Sequence, residues 1–180
     1  MDTVPFTPEQ VAEVSGLVAD YIATQRRKYA PRAVHLTARQ RTTVGAFFAT
    51  ELLDDARLLV LEDERVPNPD FYPMLRGVGL KSLPDQTGMA AITFGDVVVS
   101  HEPFSDGLLF HELVHIEQYR QLGIPRFADL YVRGFLNGGS YEDIPLEVNA
   151  YSLEDRFRRD PQQGFSVQQE VACWAAQEKL

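Results

Sequence analysis

The chain has 180 residues, 44% of them apolar, which suffices for one compact domain with a core of its own. Its 26 acidic and 17 basic side chains leave a net charge of −9, which argues against nucleic acid and anionic membranes as partners. The single Cys173 excludes an intramolecular disulfide and fits a reducing compartment. No apolar run is long enough to span a membrane, and residues 1–6 lack the basic start and apolar core of a secretory leader, so the expected location is cytoplasmic.

Thr7-Pro8-Glu9 opens a helix that carries Val11, Val14, Leu17, Val18, Tyr21 and Ile22 at helical spacing and ends near Tyr29, before Pro31. Thr37 caps a second helix that reaches about Leu53 and buries Val44, Phe47, Phe48 and Leu52. Residues 57–61 read as a short strand. The segment 62–88, interrupted by Pro67, Pro69, Pro73, Gly77, Gly79, Pro84 and Gly88, reads as a long irregular loop. Loops of that length in a compact domain often serve as lids or binding walls. Phe71, Tyr72, Met74 and Leu75 would either touch a substrate or anchor the loop to the core.

Residues 90–100 are rich in β-branched side chains and alternate poorly, which predicts a strand covered on both faces. If it lies at the sheet edge, an extended substrate could pair with it through backbone hydrogen bonds. Ser105 and Asp106 offer N-cap oxygens to a helix that Gly123 and Pro125 should end after Leu122. Residues 137–140 form a turn, and Asp143 caps a helix with Pro145 in its first turn. Leu146, Ala150, Leu153 and Phe157 make its apolar stripe. A last helix runs from Ser166 to Lys179, with Val167, Val171 and Trp174 on one side and Cys173 in a packing role. The expectation is one α+β domain, mostly helical with a small sheet. It divides into 1–61 (helices and strand), 62–88 (loop), 89–160 (site core) and 161–180 (C-terminal helix).

Inside the helix after Ser105 stands His111-Glu112-Leu113-Val114-His115. Two imidazoles four residues apart project from one helical face and can grip one zinc ion. Glu112, at the edge of that face, can act as general base on water activated by the metal. Leu109, Leu113 and Ile116 imply a buried helix, where two histidines and a glutamate need partners, and a metal supplies them. A metal-free hydrogen-bonded network is the alternative.

Catalytic zinc commonly takes a third protein ligand. Gln118 and Gln121 occupy the Gly and His positions of the extended three-histidine pattern, and no histidine follows His115, so a downstream ligand must be a carboxylate. Glu142 and Asp143 read as turn residues or caps, and Glu154 as part of an exposed charged end. Glu147, flanking the apolar stripe in the first turn of its helix, is the preferred third ligand.

Two histidines plus a glutamate on a following helix is the gluzincin pattern, and residues 89–157 resemble a small bacterial group of metallopeptidase domains. That group occurs as stand-alone chains or within core proteins of extracellular contractile injection systems. The residues that carry the resemblance are 91–96, Leu109-Phe110 with the zinc motif, 116–123, and Ile144-Pro145-Leu146-Glu147. The resemblance implies a zincin-like fold, a Zn²⁺ site of His111, His115 and Glu147, and Glu112 as base. Some larger gluzincins place an aspartate four residues after the ligand glutamate to orient an imidazole. Tyr151 stands there instead, which leaves Tyr151, Asp155 or a backbone carbonyl to take that part.

An oxyanion formed at the site would need a donor. Tyr141 is the foremost catalytic candidate, since it precedes the ligand helix after a glycine pair; it could equally pack under a loop. His101, Tyr119 and Arg133 are the others, with His101 read as an exposed strand-end histidine and His35 as too remote. The function expected is a zinc-dependent peptidase acting on peptide or protein substrates. The alternatives are a non-catalytic zinc-binding domain with an interaction or packaging role, and a latent peptidase plugged by its own 62–88 segment.

Overall fold

A computed structural model describes residues 6–80, 82–138 and 140–177. The first residues of the expected leader-free start, Gly139 of the expected turn and the end of the expected last helix lie outside them. Helix α1 (Pro8–Tyr29) opens on a capping box in which Thr7 and Gln10 exchange hydrogen bonds. The expected second helix is two: α2 (Ala38–Val44), capped by a matching Thr37–Gln40 box, and α3 (Thr50–Asp55). The break follows Gly45 and lets the adjacent Phe47 and Phe48 both enter the core, which one continuous helical face would not allow.

The sheet contains β1 (Val34–His35), β2 (Arg57–Val60), β3 (Ala91–Phe94) and β4 (Val97–Ser100), in the order β1-β2-β4-β3. β2 and β4 are parallel and the other two pairs antiparallel. The single strand expected over 90–100 is therefore a hairpin. Gly95, at φ 69°, takes the first position of the two-residue loop, where a left-handed backbone is needed. Arg26 of α1 holds that loop by donating from Nε and Nη2 to the two oxygens of Asp96, at 2.5 and 2.9 Å. The run lacks alternation because both faces are covered: Val98 packs into one apolar cluster, Val97 and Val99 into the other.

The 62–88 segment contains a short helix, α4 (Tyr72–Gly77), whose Tyr72 and Leu75 pack on Val11, Val14 and Val132. Between the two clusters runs α5 (Asp106–Gly138), capped by Ser105 Oγ, which accepts from the Leu108 N–H. It breaks at Gly123 (φ 72°, ψ 161°), and Pro125 begins its second half. Helix α6 (Pro145–Arg159) lies along α5, joined by the stacked rings of Phe110 and Phe157, 4.4 Å between centroids. Asp143 does not cap α6: Ser140 Oγ donates to its carboxylate, and Ile144 takes the cap position. Helix α7 (Val167–Gln177) closes the cluster around Phe47 through Val167 and Val171. The α+β class, mostly helical with a small sheet, follows the sequence reading; the mixed pairing of its four strands was not part of that reading. Among the described residues no helix is long and apolar enough to cross a membrane.

His101, just after β4, fastens both ends of the 62–88 segment. The Val66 N–H donates to its Nε2 at 3.0 Å, so the ring hydrogen sits on Nδ1 and is donated to the Met89 carbonyl at 2.6 Å. Replacing His101 with Ala removes both bonds, each worth about 1 kcal/mol. Amide hydrogen exchange between residues 66 and 89 should then quicken by about tenfold or more, while residues 109–119 keep their protection. Unchanged exchange in the loop would refute the clasp.

Candidate metal centre

The first half of α5 is buried on all sides from Leu109 to Tyr119, so His111, Glu112 and His115 are largely withdrawn from bulk water and need partners within the protein. α6 brings Glu147, also buried, against the two imidazoles. The histidine Nε2 atoms are 3.1 Å apart, and Glu147 Oε2 is 3.4 Å from each.

Neighbouring side chains decide which way these rings face. Gln118 donates from its amide nitrogen to the Leu146 carbonyl and to Asn149 Oδ1, at 3.0 and 2.9 Å, so its oxygen must face His115. That oxygen, 2.8 Å from His115 Nδ1, accepts the ring hydrogen there. Glu154 Oε2 does the same for His111 Nδ1 at 3.0 Å, and Arg158 holds Glu154 in turn through Nε at 2.7 Å. With hydrogens on both Nδ1 atoms, two Nε2 lone pairs and a carboxylate oxygen converge on one point. Glu147 Oε2 is buried without a hydrogen-bond partner among the described residues. Such an arrangement is repulsive unless a cation occupies its centre. A four-coordinate ion with bonds of about 2.0–2.1 Å would hold its ligand atoms about 3.3 Å apart. The triangle fits, and the three residues could hold a metal ion.

Without an ion the cluster holds protons. Burial opposes charge on His111, but the Glu147 and Glu154 carboxylates outweigh it and push the ring up to about 10. Burial opposes charge on His115 as well, and Glu147 again outweighs it and raises that ring. Burial favours neutral Glu147, yet the charge of His115 and the contact with His111 hold its carboxyl well below the usual range. Glu154 is lowered by the His111 and Arg158 hydrogen bonds, against burial.

A cavity of ≈ 80 Å³ opens beside the triangle, and Glu112, His115 and Glu147 form part of its lining. Glu112 accepts a hydrogen bond from Thr93 Oγ1 at 2.6 Å, and the Thr93 carbonyl accepts one from Tyr119 at 3.2 Å. Tyr141 lines the same cavity; burial, then the charge of Glu147, raises its hydroxyl well above the ordinary value and keeps it protonated. Tyr119 lies there too, stacked on Phe127 at 3.8 Å. Arg133 is elsewhere, bonded to Asp129, and His35 is exposed on β1.

The expectation for the residues behind the ligands needs correction. Asp155 faces solvent, because it sits one residue off the face of α6 that meets α5. Tyr151 offers ring contact, 4.5 Å from the His111 ring between centroids, and is 45% exposed. The imidazoles are oriented by Glu154 and Gln118, neither of which was expected in that role. Glu154 carried a usable signal, since it lies two turns after Glu147 on the same face. Gln118 carried a weaker one, three residues after His115. Comparison with protein-family models, with curated proteins and with solved structures finds no match.

Purified wild-type protein should take up one divalent ion per chain by elemental mass spectrometry, and Glu147→Ala should lose it. Glu154→Ala should bind about ten- to a hundredfold more weakly, the usual effect of losing an orienting partner. Because the ion displaces protons held by raised histidines, uptake at pH 7 should release protons and weaken as the pH falls. Calorimetry in buffers of different ionisation enthalpy measures that release; uptake with no proton release would contradict the convergent arrangement.

Proposed function

We propose that the chain is a zinc-dependent peptidase of gluzincin type, in the bacterial group its sequence resembles, with a zincin-like arrangement of sheet and helices. The observation that carries this reading is the triangle of His111, His115 and Glu147 with the Glu112 carboxylate in the adjoining cavity wall. Two imidazoles and one carboxylate at this spacing suit zinc. A purely structural zinc usually takes four protein ligands, and the group among the described residues has three. When bound, zinc supplies Lewis acidity, polarising a carbonyl and making water acidic near neutral pH.

The other parts of the reaction fall to the chain. Thr93 engages one oxygen of Glu112 and sets the orientation of the carboxylate; Glu112 takes a proton from water and passes it to the leaving amine. Tyr141, protonated and in the same cavity, is placed to donate to the oxyanion.

A peptide substrate is supported by β3, the outer strand of the sheet, which lines the cavity. The Ala90 carbonyl accepts from the His101 N–H, so by antiparallel alternation Ala91 and Thr93 turn their backbone groups away from β4. An extended chain could pair along that edge. The 62–88 segment supplies Pro69, Phe71 and Tyr72 to the cavity wall, which favours a wall over a plug.

Glu112→Gln should keep about one zinc per chain and lose turnover on a peptide library by at least a hundredfold. Full activity in that variant would end the proposed mechanism. Loss of zinc together with activity would shift Glu112 to a structural part.

A further inference from the structure

The cavity beside the triangle has walls that the hydrolytic chemistry does not require. Tyr21 and Ile22 of α1, Phe71 and Tyr72 of the 62–88 segment, Ile92 of β3 and Tyr131 of the second half of α5 converge on it. Four separate parts of the chain thus build one aromatic and aliphatic chamber, contiguous with Glu112, His115 and Glu147. Its ≈ 80 Å³ compares with roughly 10–15 Å³ needed for one water, so it has room for a side chain of the size of leucine, methionine or phenylalanine.

Charge narrows the choice. Among the described residues no lysine or arginine lines the chamber, and the carboxylates there are Glu112 and Glu147. An acidic side chain would meet two carboxylates and no cationic side chain among the described lining residues, and a lysine would lose its hydration against apolar walls. One wall also carries an unsatisfied acceptor: Gln86 is 7% exposed and its Oε1 has no hydrogen-bond partner among the described residues, which would favour a substrate backbone N–H nearby.

We propose that this chamber is the specificity pocket of the site and receives a large uncharged apolar side chain next to the bond that is cut. The substrate class is then a polypeptide segment with leucine, methionine or an aromatic residue at that position, bound along β3. This inference rests on the zinc peptidase reading and refines it.

The test measures binding, with the metal contact held constant. Zinc-loaded protein, its metal content confirmed by mass spectrometry, is titrated calorimetrically with N-acetylated hydroxamates of glycine, leucine, phenylalanine, aspartate and lysine. Leucine and phenylalanine hydroxamates should bind at least tenfold tighter than glycine hydroxamate, as burial of a large apolar side chain demands. The aspartate and lysine compounds should bind no better than glycine. Val18→Trp on α1 places a bulky ring in the wall of the chamber and should erase the preference, while unchanged zinc content and far-ultraviolet circular dichroism report an intact site and fold. Equal affinities across the series would overturn the pocket and leave the zinc site standing. Zinc-loaded protein that binds none of the hydroxamates would overturn both readings.

Discussion

Three lone pairs aimed at one buried point are what the rest of this structure has to sustain. Two Nε2 atoms 3.1 Å apart and a carboxylate oxygen 3.4 Å from each repel one another unless positive charge lies between them. A proton can satisfy one pair at a time; a divalent cation satisfies all three. Holding such a set open requires a rigid frame, and the frame is α5 against α6. Phe110 stacks on Phe157, and Gln118 bridges His115 to the Leu146 carbonyl, one residue before Glu147. Glu154, pinned by Arg158, does the same for His111 from the far end of the helix. Gly107 leaves room for the Arg158 guanidinium, which a side chain there would oblige to shift.

The break at Gly123 divides the labour of α5. Its first half carries both histidines, Glu112 and Gln118, and is buried from Leu109 to Tyr119; its second half turns to present Phe127 and Tyr131 to the cavity. A straight helix of that length would carry these rings away from the two histidines. Glycine can adopt the required positive φ and proline starts a helical segment without loss, so the bend costs the chain little. The 62–88 segment completes the chamber from the opposite side, held by His101 and by the Asn68 side chain, which accepts from the Gln86 N–H.

What was legible in the sequence was whatever depends on local periodicity. The His111–His115 spacing, the caps at Thr7, Thr37 and Ser105, the stop at Gly123 and the placement of Glu147 on an apolar-flanked first turn are properties of single helices. The hairpin was hidden because Gly95-Asp96 interrupts a run whose two halves are equally apolar, and that uniformity comes from burial on both faces. The division between α2 and α3 was hidden because Phe47 and Phe48 satisfy a helical stripe as well as they satisfy a turn folded into the core. For Glu154 and Gln118 the spacing on their own helices was a signal of position and not of partner. Their roles arise only when α5 and α6 meet at one particular rotation, which sets Glu154 inward and the adjacent Asp155 outward.

Thr93 joins these levels in one residue. Its hydroxyl donates to Glu112, its carbonyl accepts from Tyr119, and it stands on the outer strand beside the cavity. Strand geometry sends its side chain towards α5 while its backbone N–H points away from β4, where an extended peptide would pair. On the proposed reading, the line along which substrate lies and the orientation of the base are therefore set by the same few atoms. A displacement of β3 would move both together and preserve their separation. The separation between base and scissile bond is what proton transfer depends on most steeply. A short edge strand, fastened through Asp96 to α1 and through Thr93 to α5, is a physically sufficient way to fix it.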